Sequence, residues 1–375
     1  MRSSRFSQRF AVVLIVFTTV LGLRTEVVFG QTIPSPEEFF GFQMGTDRKL
    51  ARWDKLVEYY ELLGRQSARL EVVHMGPTTL GNPFLALFIS SPNNLAHLEE
   101  LRQINVRLND PRGVSEENIE RAIANGKAVV VQSMGLHSSE VGSSQMAAEL
   151  IYELVTRTDP EMLRILDETV AVMIPCFNPD GEIMVTDWYN ENIGTDYEGS
   201  GLPWLYHHYI GHDNNRDAFQ QNTIESQYGA KLLFRDWVPQ AYIDHHQMGA
   251  YGARIYVPPY AEPIRPSADP LVWREMSWYG AHIAYKEEEA GKAGVVNAAI
   301  YSGWGHFGFH WITPFHNIAG MLTESASARL ATPLFVHPDQ LNGSRGLPEY
   351  EAQTTFPNPW QGGWWHVRDI VEQQK

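Results

Sequence analysis

The chain has 375 residues, 43% hydrophobic and 19% charged, with a formal net charge of −15. That is enough apolar material for a large core in one domain or two, and the acid excess disfavours nucleic acid or an anionic membrane as a partner. Its single cysteine, Cys176, excludes an internal disulfide and a cysteine-rich metal site.

Residues 1–30 read as a secretory signal peptide. Arg2, Arg5 and Arg9 form a basic head, Ala11 to Leu23 an apolar run, and Val28-Phe29-Gly30 a small-residue end. The run is shorter than the ~20 residues of a comfortable membrane span, and no other stretch is a better candidate. The mature chain is therefore expected to be secreted or periplasmic, without stable membrane insertion. Residues 31–49 read as a lead-in. Residues 50–375 read as one domain, expected to be truncated at its C-terminus with its last turns poorly anchored, because Val367 to Lys375 looks like a helix only just started.

Helical spacing runs from Leu50 to Leu63, and strands are expected at Leu70 to His74 and Phe84 to Ile89. Helices are expected at Asn94 to Gln103 and, capped by Ser115, at Glu116 to Ala124. The apolar run Ala128 to Met134 makes a buried strand, followed by a helix from Val141 to Thr156, a short helix at Pro160 to Leu166 and a strand at Val170 to Cys176. From Asn178 to Phe219, scattered glycines among Trp188, Tyr189, Tyr197, Trp204, Tyr206 and Tyr209 suggest a long aromatic loop region. Beyond it come a helix at Glu225 to Trp237, a strand at Gln240 to His246, and a long helix from Asp269, a capping acid before Pro270, to Ala290. Short strands are expected at Val295-Val296 and Ile318 to Thr323. Alternating helix and strand with short connections predicts an α/β fold: a mixed, mostly parallel sheet with helices on both faces.

Chemistry gathers where strands end. His137 and Glu140 lie between the Ala128 strand and the Val141 helix, and a strand-end loop of an open α/β sheet is where ligands bind. Imidazole and carboxylate three residues apart can converge on one metal ion. A second His-x-x-Glu, His97 to Glu100, has no strand feeding it and reads as a solvated helix face. Asp244-His245-His246 closes another strand, and either histidine could complete a His2Glu site, with Asp244 orienting the ligand imidazole from behind. Glu324 closes the apolar strand from Ile318, where a carboxylate is costly unless solvated or used. Asp213-Asn214-Asn215-Arg216 supplies a cluster able to pair with a carboxylate.

In that order, these segments resemble the zinc metallocarboxypeptidases of the carboxypeptidase A/B group, from about Tyr59 to Pro333. His137-Ser138-Ser139-Glu140 is similar to the family's paired ligand segment, and Asn178-Pro179-Asp180-Gly181 to its Asn-Pro-Asp-Gly turn. The resemblance implies one zinc ion per chain held by His137, Glu140 and His246, the family's spacing favouring His246 over His245. It implies Glu324 as the general base for water at the metal, Tyr301 as a mobile tyrosine, and Asn215 and Arg216 as the grip on a peptide's terminal carboxylate. Phe307, Phe309 and Trp311 fall where the family places its specificity pocket. The implied function is removal of C-terminal residues from peptides. The rivals are a zinc amidase or deacylase acting on small acyl amino acids or cell-wall peptides, and a non-catalytic binding module on the same fold. Two departures stand out: Ser139 replaces a frequent arginine, and no Arg or Lys occurs from Gly181 to Asn215, where the family has an oxyanion arginine. His207, His208 and His212 are the candidates to replace it.

Overall fold

Apolar runs rich in β-branched and aromatic residues, bounded by Pro, Gly and polar turns, build an eight-stranded sheet. The computed structural model of the protein describes residues 33–375, position 212 apart. The strands are β1 (Leu70–Pro77), β2 (Pro83–Ile89), β3 (Ala128–Ser133), β4 (Thr169–Ile174), β5 (Ala241–Met248), β6 (Ile255–Tyr256), β7 (Val295–Val296) and β8 (Ala319–Ala326). Their spatial order is β1-β2-β4-β3-β5-β8-β6-β7. The centre, β4-β3-β5-β8, is parallel, and β6 also pairs parallel with β7. The β1/β2, β2/β4 and β6/β8 pairs are antiparallel. This is the mixed, mostly parallel α/β sheet that the pattern predicts.

Side chains alternate across each strand, so β2 serves both faces. Leu85, Leu87 and Ile89 join a core with residues of the helices Trp53–Gln66 and Val141–Thr156. Phe84, Ala86 and Phe88 join a second core with Leu101, Leu232 and Leu233. Cys176 is buried and free, as its apolar surroundings imply. Among the described residues, no helix is long and apolar enough to cross a membrane. The expected signal peptide lies outside the described residues.

Three segments differ from expectation. The stretch read as a lead-in belongs to the compact unit Ile33–Lys375: Met44 is fully buried, and Phe39 and Phe40 pack on Tyr59. The expected loop from Asn178 begins with a helix, Pro179–Asn192. The Asn178 side chain accepts the Gly181 N–H at 3.0 Å and Pro179 supplies a preset φ at the first position. The short C-terminal helix Val367–Gln374 is well anchored rather than loose. Val367, Ile370 and Val371 are buried, Arg368 pairs with Glu149 at 2.5 Å, and Gln374 Nε2 donates to the His246 carbonyl at 3.0 Å. Gly142 makes room for this helix, since a Cβ there would meet Ile370 Cγ2 at 2.4 Å.

Glu182, on the Pro179 helix, yields a pH prediction. Its carboxyl accepts from the Trp53 N–H at 2.9 Å and from the Thr186 hydroxyl at 3.1 Å. Burial pushes its pKa from 4.5 up to about 8. The folded protein thus keeps a proton that the unfolded chain releases. Stability is therefore lost as pH rises from about 4.5 to about 8. Glu182→Gln, neutral throughout, should flatten this slope and raise Tm at pH 8 relative to wild type. Parallel Tm-against-pH curves for the two proteins would show that Glu182 carries no such proton.

Candidate functional site

β3, β5 and β8 run parallel and end at one edge of the sheet, which gathers their C-terminal loops. After β3 the chain reverses at Gly135, whose φ of 61° suits glycine and where a Cβ would meet Cys176 Sγ at 3.2 Å. The Glu140 N–H then donates to the His137 carbonyl at 2.9 Å, closing a turn. That turn brings His137 Nδ1 to 2.7 Å from Glu140 Oε1. The start of the Pro179 helix braces this loop: Asn178 N–H donates to the Gly135 carbonyl at 3.1 Å.

β5 delivers the third donor. His246 Nδ1 lies 3.0 Å from Glu140 Oε2 and 3.2 Å from His137 Nδ1. The two histidines of β5 point to opposite faces. His245 hydrogen-bonds Thr323 Oγ1 at 2.9 Å and lies 3.3 Å from Gln132 Oε1, away from the cluster. The parallel register pairs His246 with Glu324 on β8, so Glu324 stands beside the cluster, 7% exposed. The Tyr301 hydroxyl donates a hydrogen bond to it.

The donor set fits a zinc ion. One ligand atom each from His137, Glu140 and His246 lie within 4.8 Å of one another, and two histidines with a glutamate are a known catalytic zinc set. Each imidazole turns its other nitrogen to a carboxylate: His137 Nε2 to Asp213 Oδ1 at 3.1 Å and His246 Nε2 to Asp244 Oδ2 at 3.0 Å. Such backing fixes the ring and its tautomer. Asp244 is fully buried and also accepts from Ser133 Oγ at 2.7 Å. A second donor group, Asp244, His246 and His310, shares His246 through this rear nitrogen and is buried throughout. The other His-x-x-Glu segment joins no such group: His97 caps the helix Leu98–Asn109, and its Nδ1 sits 2.8 Å from the Asn93 carbonyl.

Charges in the cluster are mutually dependent. Burial lowers the pKa of His137, but Glu140 and Asp213 outweigh it and raise the ring to about 9. Burial raises Glu140, yet His137 and His246 hold it near about 2. The cluster thus concentrates acceptor and cation together in a way that a bound cation would replace. Glu324 is different. Burial, with Glu140 adding to it and His246 opposing it, lifts its carboxyl to about 8.

The flanking segment Asn214–Asp217 forms one 3-10 turn. Asn215 is buried; its side-chain Oδ1 accepts the Phe309 N–H at 3.0 Å, and its Nδ2 lies 3.4 Å from His246 Nε2. Arg216 is half-exposed. It pairs with Asp213 at 3.3 Å, donates to the Phe307 carbonyl at 3.1 Å, and lies over the rings of Phe307 and Trp311. Of the three histidines considered for the oxyanion, the structure describes His207 and His208. His207 is buried, with Nδ1 accepting from Tyr209 and Ile210 N–H groups and Nε2 against Glu225, which makes it a loop brace. His208 is exposed, and His212 lies outside the described residues. Sequence reasoning passed over Tyr206. Its phenol is buried, and burial followed by the charges of Glu140 and Asp213 raises its pKa, so it meets the cluster as a neutral hydroxyl.

The sequence model described as zinc carboxypeptidase matches residues 56–257 of the chain. No curated protein matches significantly. Among solved structures, carboxypeptidase A from Helicoverpa armigera is similar with a TM-score of 0.52 at 14% identity, over 87% of this chain and 70% of that one. A metallo-carboxypeptidase from Burkholderia cenocepacia has a TM-score of 0.51 at 13% identity, over 86% of this chain and 66% of that one. One from Pseudomonas aeruginosa, solved with (2-guanidinoethylmercapto)succinic acid, has a TM-score of 0.50 at 15% identity, over 85% of this chain and 64% of that one. The chain thus spans about two thirds of the length of these structures, which share its fold.

Proposed function

The chain belongs to the zinc carboxypeptidase family, and on that premise we propose that it is a secreted zinc-dependent exopeptidase removing C-terminal residues from peptides. The observation that supports this most is the pairing of Glu324 with His246 across β5 and β8, which sets a buried carboxyl beside three converging donors. A non-catalytic binding module would have no use for such a group.

His137 Nδ1, His246 Nδ1 and a Glu140 carboxylate oxygen would hold the ion. The chemistry zinc supplies when bound is polarisation of a carbonyl and acidification of water toward a pKa of ~7. Glu324 takes a proton from water at a carboxylate oxygen and delivers it to the leaving amine nitrogen. Its raised pKa suits both directions, because a group poised near neutrality can accept and then release. Tyr301 orients that carboxylate through its hydroxyl. Asp213 and Asp244 keep the ligand rings aimed.

Arg216 carries the exopeptidase part of the reading. Its guanidinium is half-exposed above two aromatic rings and needs only to exchange Asp213 for a substrate carboxylate. Asn215 is already engaged with Phe309, so its share is the smaller. A charge-assisted hydrogen bond is worth about 1.5–3 kcal/mol. Arg216→Ala should therefore lower kcat/KM on free-acid peptides roughly 10- to 100-fold, at about 1.4 kcal/mol per tenfold. Amidating the substrate's C-terminus should cost wild type as much, and the two losses should overlap rather than add, since both remove one contact. Equal wild-type rates on free-acid and amidated peptides would make Arg216 structural and favour the amidase reading.

A further inference from the structure

The helix Pro270–Glu289 is the longest among the described residues, and it shows two unlike faces. Val272, Met276 and Gly280 are buried. Gly280 approaches the neighbouring backbone closely, since a Cβ there would strike the Pro258 carbonyl. The outward face holds Leu271, Trp278 and Tyr285, which are 75%, 76% and 62% exposed. These three large apolar side chains recur every seven residues, with exposed Arg274 and Ala281 at the intermediate positions. A seven-residue apolar repeat is the seam of a helix pair. Exposing it to water has no benefit to a lone chain, and contiguous apolar patches mark association surfaces.

The pattern also specifies the partner. Trp278 is the midpoint between Leu271 and Tyr285, so the stripe maps onto itself under a two-fold axis through Trp278. An antiparallel copy would set Leu271 against the partner's Tyr285, and Trp278 against its own equivalent. The same register places Arg274 opposite the partner's His282, and Lys286 beside the partner's Asp269. The half-buried Glu287 apart, which falls opposite the partner's Asp269 but lines an inner pocket, no carboxylate of one helix faces a carboxylate of the other, although the chain as a whole carries −15. That charge disfavours an anionic lipid surface as the occupant. We propose that this face is the isologous interface of a homodimer, with paired Trp278 side chains at its two-fold axis. The proposal is independent of the metal site.

Cysteine cross-linking and sedimentation test it on the full chain. Cys176 is buried and does not compete. Trp278→Cys should oxidise to a disulfide-linked dimer. Leu271→Cys alone should not, because its equivalents lie ~20 Å apart, each seven residues from the axis at ~1.5 Å rise per residue; mixed with Tyr285→Cys it should cross-link. Wild type should sediment as a dimer, and Trp278→Glu should weaken association at least thirtyfold, as loss of a central aromatic anchor does. Because Trp278 is exposed, zinc content and fold should be unchanged in that variant. A monomeric wild type, self-linking of Leu271→Cys without linking of Trp278→Cys, or a monomer that instead pellets with phosphatidylcholine–phosphatidylserine vesicles would each overturn the proposal.

Discussion

Glu324→Gln should reduce turnover of a peptide substrate by about 100- to 10,000-fold, the usual contribution of a positioned acid–base group, while the protein keeps its zinc. The substitution preserves size and the hydrogen bond from Tyr301, but the amide can neither take a proton from water nor deliver one to an amine. Glu324 is not among the three donors that converge on the metal position, so metal content is expected to stay at about one ion per chain. The substitution also removes a charged form that is costly at this buried position, since burial is the largest influence on this carboxyl. Thermal stability should accordingly hold or rise. This combination of lost rate, retained zinc and retained stability separates a general base from a structural acid. A variant with near-wild-type turnover would remove Glu324 from the chemistry. Lost zinc would make it a ligand instead.

His246→Ala should empty the metal site and abolish activity, whereas His245→Ala should retain both. The two residues are adjacent but serve different faces of β5. His246 contributes Nδ1 to the cluster and Nε2 to Asp244. Its removal deletes one of three ligands and strands a fully buried carboxylate, and breaking such a buried pair typically costs about 3–5 kcal/mol. A marked fall in Tm should therefore accompany the loss of zinc. His245 holds Thr323 and Gln132 across the strands, so its removal should cost stability alone. Metal analysis beside Tm for both variants decides it. Zinc lost from His245→Ala and kept by His246→Ala would reverse the strand register described here.

The candidate site was legible because each of its proposed residues closes an apolar run: His137 after β3, His246 on β5 and Glu324 on β8. A parallel sheet aligns such ends without further information. The choice between His245 and His246 was not legible from alternation, because both are buried and the deciding contacts, Thr323 on one side and Glu140 on the other, come from distant segments. The helix from Pro179 was hidden by Gly181 and the following aromatics, although Asn178-Pro179 carried its start signal. Tyr206 gave no local cue at all, since only the folded loop brings its phenol near Glu140 and Asp213. The firm seat of the last helix was likewise invisible, because it depends on Gly142, Glu149 and the His246 carbonyl.

The most direct measurement is the product pattern of the purified, zinc-loaded protein on a mixed library of free-acid peptides, read by mass spectrometry. The account predicts successive loss of single C-terminal residues, with no internal cuts, abolished in Glu324→Gln and by chelation. Internal cleavage, release of acyl groups from blocked N-termini, or no product from a zinc-replete protein would contradict it.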